Sequence, residues 1–201
     1  STALTINGLN SVTADSDGLV DNETLGSNGN FTIDGALASV AGSDLKSTVS
    51  ISSSNNNASV TFTITGTDVF GNAMTEVITS TGSAEAVAGT KLFLTVTAVE
   101  CSAQYAANIT VGSGTLCAQA VNGSNRVRLK GMSITSGGTA GDVEFIDGAP
   151  EDGTTLFKSR TIGTANTVID RTIPSEGVVF RSGLAIKYTL DTADMITIFH
   201  A

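Results

Sequence analysis

Residues 126–148 read RVRLKGMSITSGGTAGDVEFIDG, and the reading of this stretch decides the fold. Val127, Leu129, Met132 and Ile134 form one apolar set, and Val143, Phe145 and Ile146 form a second. Apolar positions that recur every second residue mark extended backbone, whose side chains alternate between two faces. Between the sets, SGGTAG supplies glycines, which adopt the positive φ angles of tight reversals without steric cost. The stretch therefore predicts a β-hairpin of strand, turn and strand. The alternation slips once, at Lys130-Gly131, and such a slip predicts a β-bulge there.

Outward from this stretch the same period recurs. In SVTFTIT (59–65), Val60, Phe62 and Ile64 alternate with threonines, and MTEVIT (74–79) carries Met74, Val77 and Ile78 after a GTDVFGNA turn. KLFLTVTAVE (91–100) puts Leu92, Leu94 and Val96 on one face and Phe93 opposite, and NITVG (108–112) follows. TLFKSRTI and NTVIDRTI flank GTA, VVFRSGLAIKYTL comes after a PSEG loop, and MITIFH (195–200) sets Met195, Thr197 and Phe199 against Ile196 and Ile198. Phe31 to Ile33 reads as a short strand entering a turn, Ala36 to Ala41 as a strand or one helical turn, and SSSNNNAS (52–59) as a loop. No window sustains the i, i+3, i+4, i+7 spacing of a helix. The expectation is an all-β chain of two small antiparallel β-sandwich or barrel-like modules with an extended N-terminal arm. Residues 1–50 are expected to be the arm and first strands, packing on the body or a neighbour. Residues 51–121 form the first module and 122–201 the second, divided at the NGSN turn.

Composition narrows the function. At 201 residues the chain buries roughly 70% of its unfolded surface, enough for a core without metals. Ten Lys+Arg against 19 Asp+Glu give a net charge of −9, whereas nucleic-acid binding relies on clustered cations. With no Trp and 2 Tyr, stacking platforms for sugars or bases are not expected. No apolar run approaches the roughly 18 residues of a membrane span, and no charged segment followed by an apolar one opens the sequence.

Candidate sites are few. DSDGLVDNE (15–23) gathers four carboxylates, but its glycine directly follows the second Asp and its Glu arrives too early for an EF-hand. A solvated acidic loop is expected there, and another at Asp147, Glu151 and Asp152. His200 is the sole histidine, no G-x-S-x-G elbow exists, and Cys101 and Cys117 lack adjacent basic residues that would activate a thiolate. The two cysteines read as buried thiols, a cross-hairpin disulfide being the alternative. No catalytic residue, metal ligand or cofactor is expected. Arg126, Arg128 and Lys130 fall on one strand face at period two and form a possible subunit-contact face, or a wetted outer sheet face.

The order DG (17–18), NFTIDGALAS (30–39), VTFTITGTDVFGNAMTEVIT (60–79), KLFLTVTAVE (91–100) and NITVGSG (108–114) resembles a family of β-rich structural proteins of tailed bacteriophages. The pattern RLKGMSITSGGTAGDVEFIDG…IPSEGVVF…LAIKYTLDTADMITIFH likewise resembles a β module found at the C-termini of phage virion proteins. The resemblance implies a virion component made in a bacterial cytoplasm and carries no catalytic residues. Within that class the expectation is a capsid decoration (cement) protein on the shell exterior. Its partners are the major capsid protein and itself, as a homotrimer, with no nucleic acid, membrane or small-molecule substrate. The alternatives are a tail or neck component (tube, adaptor or fibre base) and a surface-adhesion module.

Overall fold

The structure, a computed structural model, describes residues 2–7, 14–53, 59–80, 86–123, 125–189 and 194–201. Within them the chain is all-β apart from one four-residue helix, and its sheets are built on antiparallel pairings. It divides into two compact units, Val12–Thr115 and a second made of Ser1–Ser11 with Leu116–Ala201.

The Val12–Thr115 unit holds two sheets. One pairs β3 (Gly29–Asn30), β8 (Thr95–Cys101), β5 (Thr61–Thr67) and β6 (Ala73–Thr79) in that order. The other contains β2 (Asp15–Leu25), β4 (Ser47–Ser53), β7 (Val87–Ala88) and the first part of β9 (Tyr105–Asn122). Phe62 and Ile64 point inward from β5 as their alternation predicts, joining Phe31, Val49, Val96, Val99 and Ile109 in one core. The Ala36 to Ala41 segment resolves as a helical turn, α1 (Ala38–Ala41).

Three local expectations are corrected here. Phe31 to Ile33 is not a strand: Phe31 is buried, and its N–H bonds to Val99 O at 2.9 Å, where β3 has just ended. The alternation of 91–100 breaks, because Leu92 and Phe93 are both buried and β8 starts only at Thr95. Within β8 itself the register to β5 shifts at Thr65/Gly66, with Thr97 the extra residue, and a Cβ on Gly66 would collide with the Thr95 carbonyl. Val77 lies on the solvent side of β6, opposite Met74 and Ile78, at 60% exposure. Most of the 52–59 loop lies outside the described residues.

The other unit is a two-sheet sandwich. Sheet A orders β1 (Thr2–Asn7), β16 (Met195–His200), β10 (Val127–Ser136) and β13 (Thr167–Thr172), with β14 (Val178–Phe180) also paired to β10. Sheet B orders β12 (Thr154–Arg160), β11 (Asp142–Asp147), β15 (Leu184–Tyr188) and the last part of β9. Leu129, Met132, Ile134, Ile196 and Ile198 from sheet A meet Val143, Phe145, Ile186 and Tyr188 from sheet B in a continuous core.

The stretch 126–148 does form two strands, but they do not pair as a hairpin. β10 belongs to sheet A and β11 to sheet B, so residues 137–141 cross between the sheets. Both strands are apolar on the side facing the core, and the crossing lets each use that side at once. Side chains hold the crossing: Gly137 N donates to Asp194 Oδ1 at 2.5 Å, Gly141 N to Thr161 Oγ1 at 2.6 Å, and Ile162 N to Ser136 Oγ at 3.0 Å. Ser136, Thr161 and Asp194 are all buried, so these bonds satisfy polar groups that would otherwise lose water without replacement. The bulge falls where the alternation slips. Leu129 pairs with His200 and Gly131 with Phe199, leaving Lys130 as the extra residue.

The divisions also differ from those expected. Residues 1–50, expected as the arm and first strands, contribute to both units: β1 pairs along its whole length with β16, while β2 pairs with β9. The boundary lies between Thr115 and Leu116, inside β9, and not at the 122–125 turn. β9 is 18 residues long and serves a different sheet partner in each unit, so its turn signal marks only the strand end.

Candidate functional site

Sheet A buries one side and leaves the other open. With Ile196, Ile198 and His200 inward, β16 presents Met195, Thr197 and Phe199 outward, as its alternation predicts. Register then fixes three cross-strand rows on the open side. Val168, Thr135 and Met195 form the first; Asp170, Ser133, Thr197 and Thr5 the second; Thr172, Gly131, Phe199 and Ala3 the third. Thr5 and Thr197 share a hydroxyl hydrogen bond of 3.2 Å.

Asp170 is the one charged residue named in these three rows, in a chain with 19 acidic residues, and Lys130 and Arg171 border them. Three large apolar side chains stand out of it, Val168 at 54% exposure and Met195 and Phe199 at 40% each. Beside Phe199 the absent side chain of Gly131 leaves a hollow of about 430 Å³ bordered by Lys130, Asp170, Arg171 and Thr172. Glycine is required at 131, since a Cβ would come within 2.6 Å of Arg171 O across the ladder. Sequence reading found the alternation of β16 but missed the face, because the rows exist only through pairings between remote segments.

The expected contact face of Arg126, Arg128 and Lys130 is not a free stripe. Arg128 is half-buried and pairs with Glu176 Oε2 at 3.0 Å, also donating to Glu176 O at 3.1 Å. Lys130 Nζ donates to Ser175 O at 3.3 Å, while Arg126 is exposed ahead of β10. The 174–177 loop thus engages two of the three heads. On sheet B, Glu144 lies between Lys158 and Lys187 at 2.8 and 3.2 Å, and these cations, Lys158 foremost, hold its carboxyl below the ordinary value. A cleft of about 540 Å³ opens between β12 and β13, floored by Met132, Val143, Phe157 and Ile169.

The acidic segment 15–23 is a strand, not a loop. Leu19 and Val20 are buried, Glu23 accepts from Thr32 N at 2.7 Å, and Asp34 accepts from Asp21 N at 3.2 Å. Asp15 shares a hydrogen bond with Asp17, which raises its pKa. No group of three His, Cys, Asp or Glu suited to a metal ion occurs among the described residues. Asp147 also has a specific job: its Oδ1 accepts from Arg181 N at 2.7 Å and Ser182 N at 2.6 Å, fixing the turn before β15. Cys101 and Cys117 are not joined in a disulfide and are buried, each in the core of a different unit. Burial raises the Cys101 pKa, and its Sγ–H donates to Ala103 O at 3.0 Å. His200 packs inward on sheet A, where desolvation lowers its pKa.

Comparison with protein-family models, with curated proteins and with solved structures finds no match for the chain.

Proposed function

We propose that the chain is a structural protein of a tailed-phage virion, a capsid decoration protein that binds assembled major capsid protein as an oligomer and performs no catalysis. The observation that carries this reading is the open face of sheet A. A four-stranded ladder holds it, so it is rigid, and it presents apolar side chains among threonines with few charges. Such a surface suits adhesion to other subunits, because little order is lost when it is covered. The resemblance of the Thr-rich strands and glycine turns to phage structural proteins points to the same setting, and the net charge of −9 suits solubility before assembly.

The reading is tested by mixing purified protein with undecorated shells of the phage that encodes it. Saturable binding, together with a raised temperature of shell rupture, is the expected result. Absence of binding to shells, with binding to isolated tails or necks, would replace decoration by the tail reading.

A further inference from the structure

We infer that the open face of sheet A packs face to face against the same face of a second copy of this chain. This deepens the adhesive reading above by naming the partner of that face.

The relief of the face is complementary to itself. Phe199 stands proud directly beside Gly131, its Cα partner across the ladder, where the hollow lies. Consider a two-fold axis lying in the interface, parallel to the strands and midway between β10 and β16. It exchanges the two columns of side chains. Phe199 of each copy then covers Gly131 of the other, Met195 covers Thr135, and Thr197 covers Ser133. An axis along β10 or β16 itself would stack a column on its own copy and leave Phe199 without a hollow.

Charge follows the same symmetry. The axis lays β1 of one copy over β13 of the other, so the lone carboxylate, Asp170, faces the hydroxyl of Thr5. The two Asp170 side chains fall on opposite flanks, about three strand spacings or roughly 14 Å apart. That exceeds the Debye length of about 8 Å at physiological salt, so their repulsion is small. Arg128 lies past the end of the three rows, paired with Glu176. Lys130, whose head donates to Ser175 O, and Arg171 border the hollow that Phe199 of the other copy covers, where a cation beside an aromatic ring is favourable.

The size of the face sets the strength. Four strands about 4.8 Å apart and six residues at about 3.4 Å give roughly 400 Å² per copy. The total is about 800 Å², below the roughly 1,200 Å² at which stable interfaces begin, so the dimer is weak and concentration-dependent. A face that pairs with itself closes at two copies and builds neither a fibre nor the expected trimer.

Sedimentation velocity from about 10 μM to about 1 mM, the range that brackets so small an interface, tests the inference. The wild-type chain should pass from monomer to dimer. Phe199→Glu and Met195→Lys should each raise the midpoint at least about tenfold, since each buries a charge on a middle strand of the face. Val77→Glu, at a still more exposed apolar site in the other unit, should leave the midpoint unchanged. Circular dichroism confirms that each variant folds. A monomer at every concentration, a trimer, or a dimer indifferent to both face variants overturns the inference. Dimerisation without shell binding rejects decoration and leaves the face assignment standing; shell binding by a strict monomer does the reverse.

Discussion

Deleting Lys130 should be milder than deleting Ser133, three residues further along the same strand. Lys130 is the extra residue of the bulge, so its loss brings Leu129 and Gly131 into ordinary succession opposite His200 and Phe199. Val127, Leu129, Met132 and Ile134 all keep their inward positions. What disappears is the Ile173 N–Lys130 O bond of 2.9 Å and the Lys130 Nζ–Ser175 O bond of 3.3 Å. At about 1 kcal/mol each, these losses amount to about 2 kcal/mol. Deleting Ser133 instead forces a choice. Either the bulge is absorbed and Met132 turns outward, or the register is kept and Ile134 does. Each is buried, and removing either from the core costs about 2–5 kcal/mol before any loss of ladder bonds. Urea unfolding followed by far-ultraviolet dichroism ranks the two variants directly. Equal destabilisation, or a more severe effect for Lys130, would refute the bulge assignment and the register built on it.

Three further outcomes follow, two from the same sandwich and one from the core of the other unit. Phe145→Ala, fully buried and edge-on to Phe157 at 5.5 Å, should cost about 3–5 kcal/mol in urea unfolding, and a loss under about 1 kcal/mol would contradict the packing of sheet B on sheet A. Lys158 and Lys187 hold the Glu144 carboxyl below its ordinary value of 4.5, so its contribution is present above that value and lost as pH falls through the lower folded one. The stability gap between wild type and Glu144→Gln should therefore be flat at neutral pH and close as pH drops below 4.5; a gap that widens in acid would reverse the sign. Cys101 should resist iodoacetamide in the native state and react once the chain is unfolded in urea, because its thiol is buried and its pKa raised; rapid native labelling would place it at the surface.

Strands were legible in the sequence and partners were not. Phe62 and Ile64, or Ile196 and Ile198, reveal a strand because a half-buried ladder forces a period of two. The bulge at Lys130 was legible for the same reason, since it interrupts that period on one chain. The hairpin reading of 126–148 failed because a period of two states only that one side is buried, and not which sheet buries it. Two strands joined by a glycine turn can pair or can face each other across a core, and both give the same pattern. What separates them is Asp194, Thr161 and Ser136 holding the crossing, through hydrogen bonds that span up to 57 positions. β1 escaped for a related reason. Its six residues have little character of their own and are ordered by β16, nearly the whole chain away. The candidate face inherits this difficulty, as Phe199 beside Gly131 is a product of pairing. The 15–23 acidic run misled in another way: its carboxylates are exposed as expected, yet Leu19 and Val20 between them anchor a strand.

Quantitative mass spectrometry of purified particles of the encoding phage tests the proposal of a sheet-built adhesive on the capsid most directly. The account predicts a copy number that scales with the major capsid protein. Absence of the chain from the particle, or a copy number fixed at a single tail or neck ring, would contradict it.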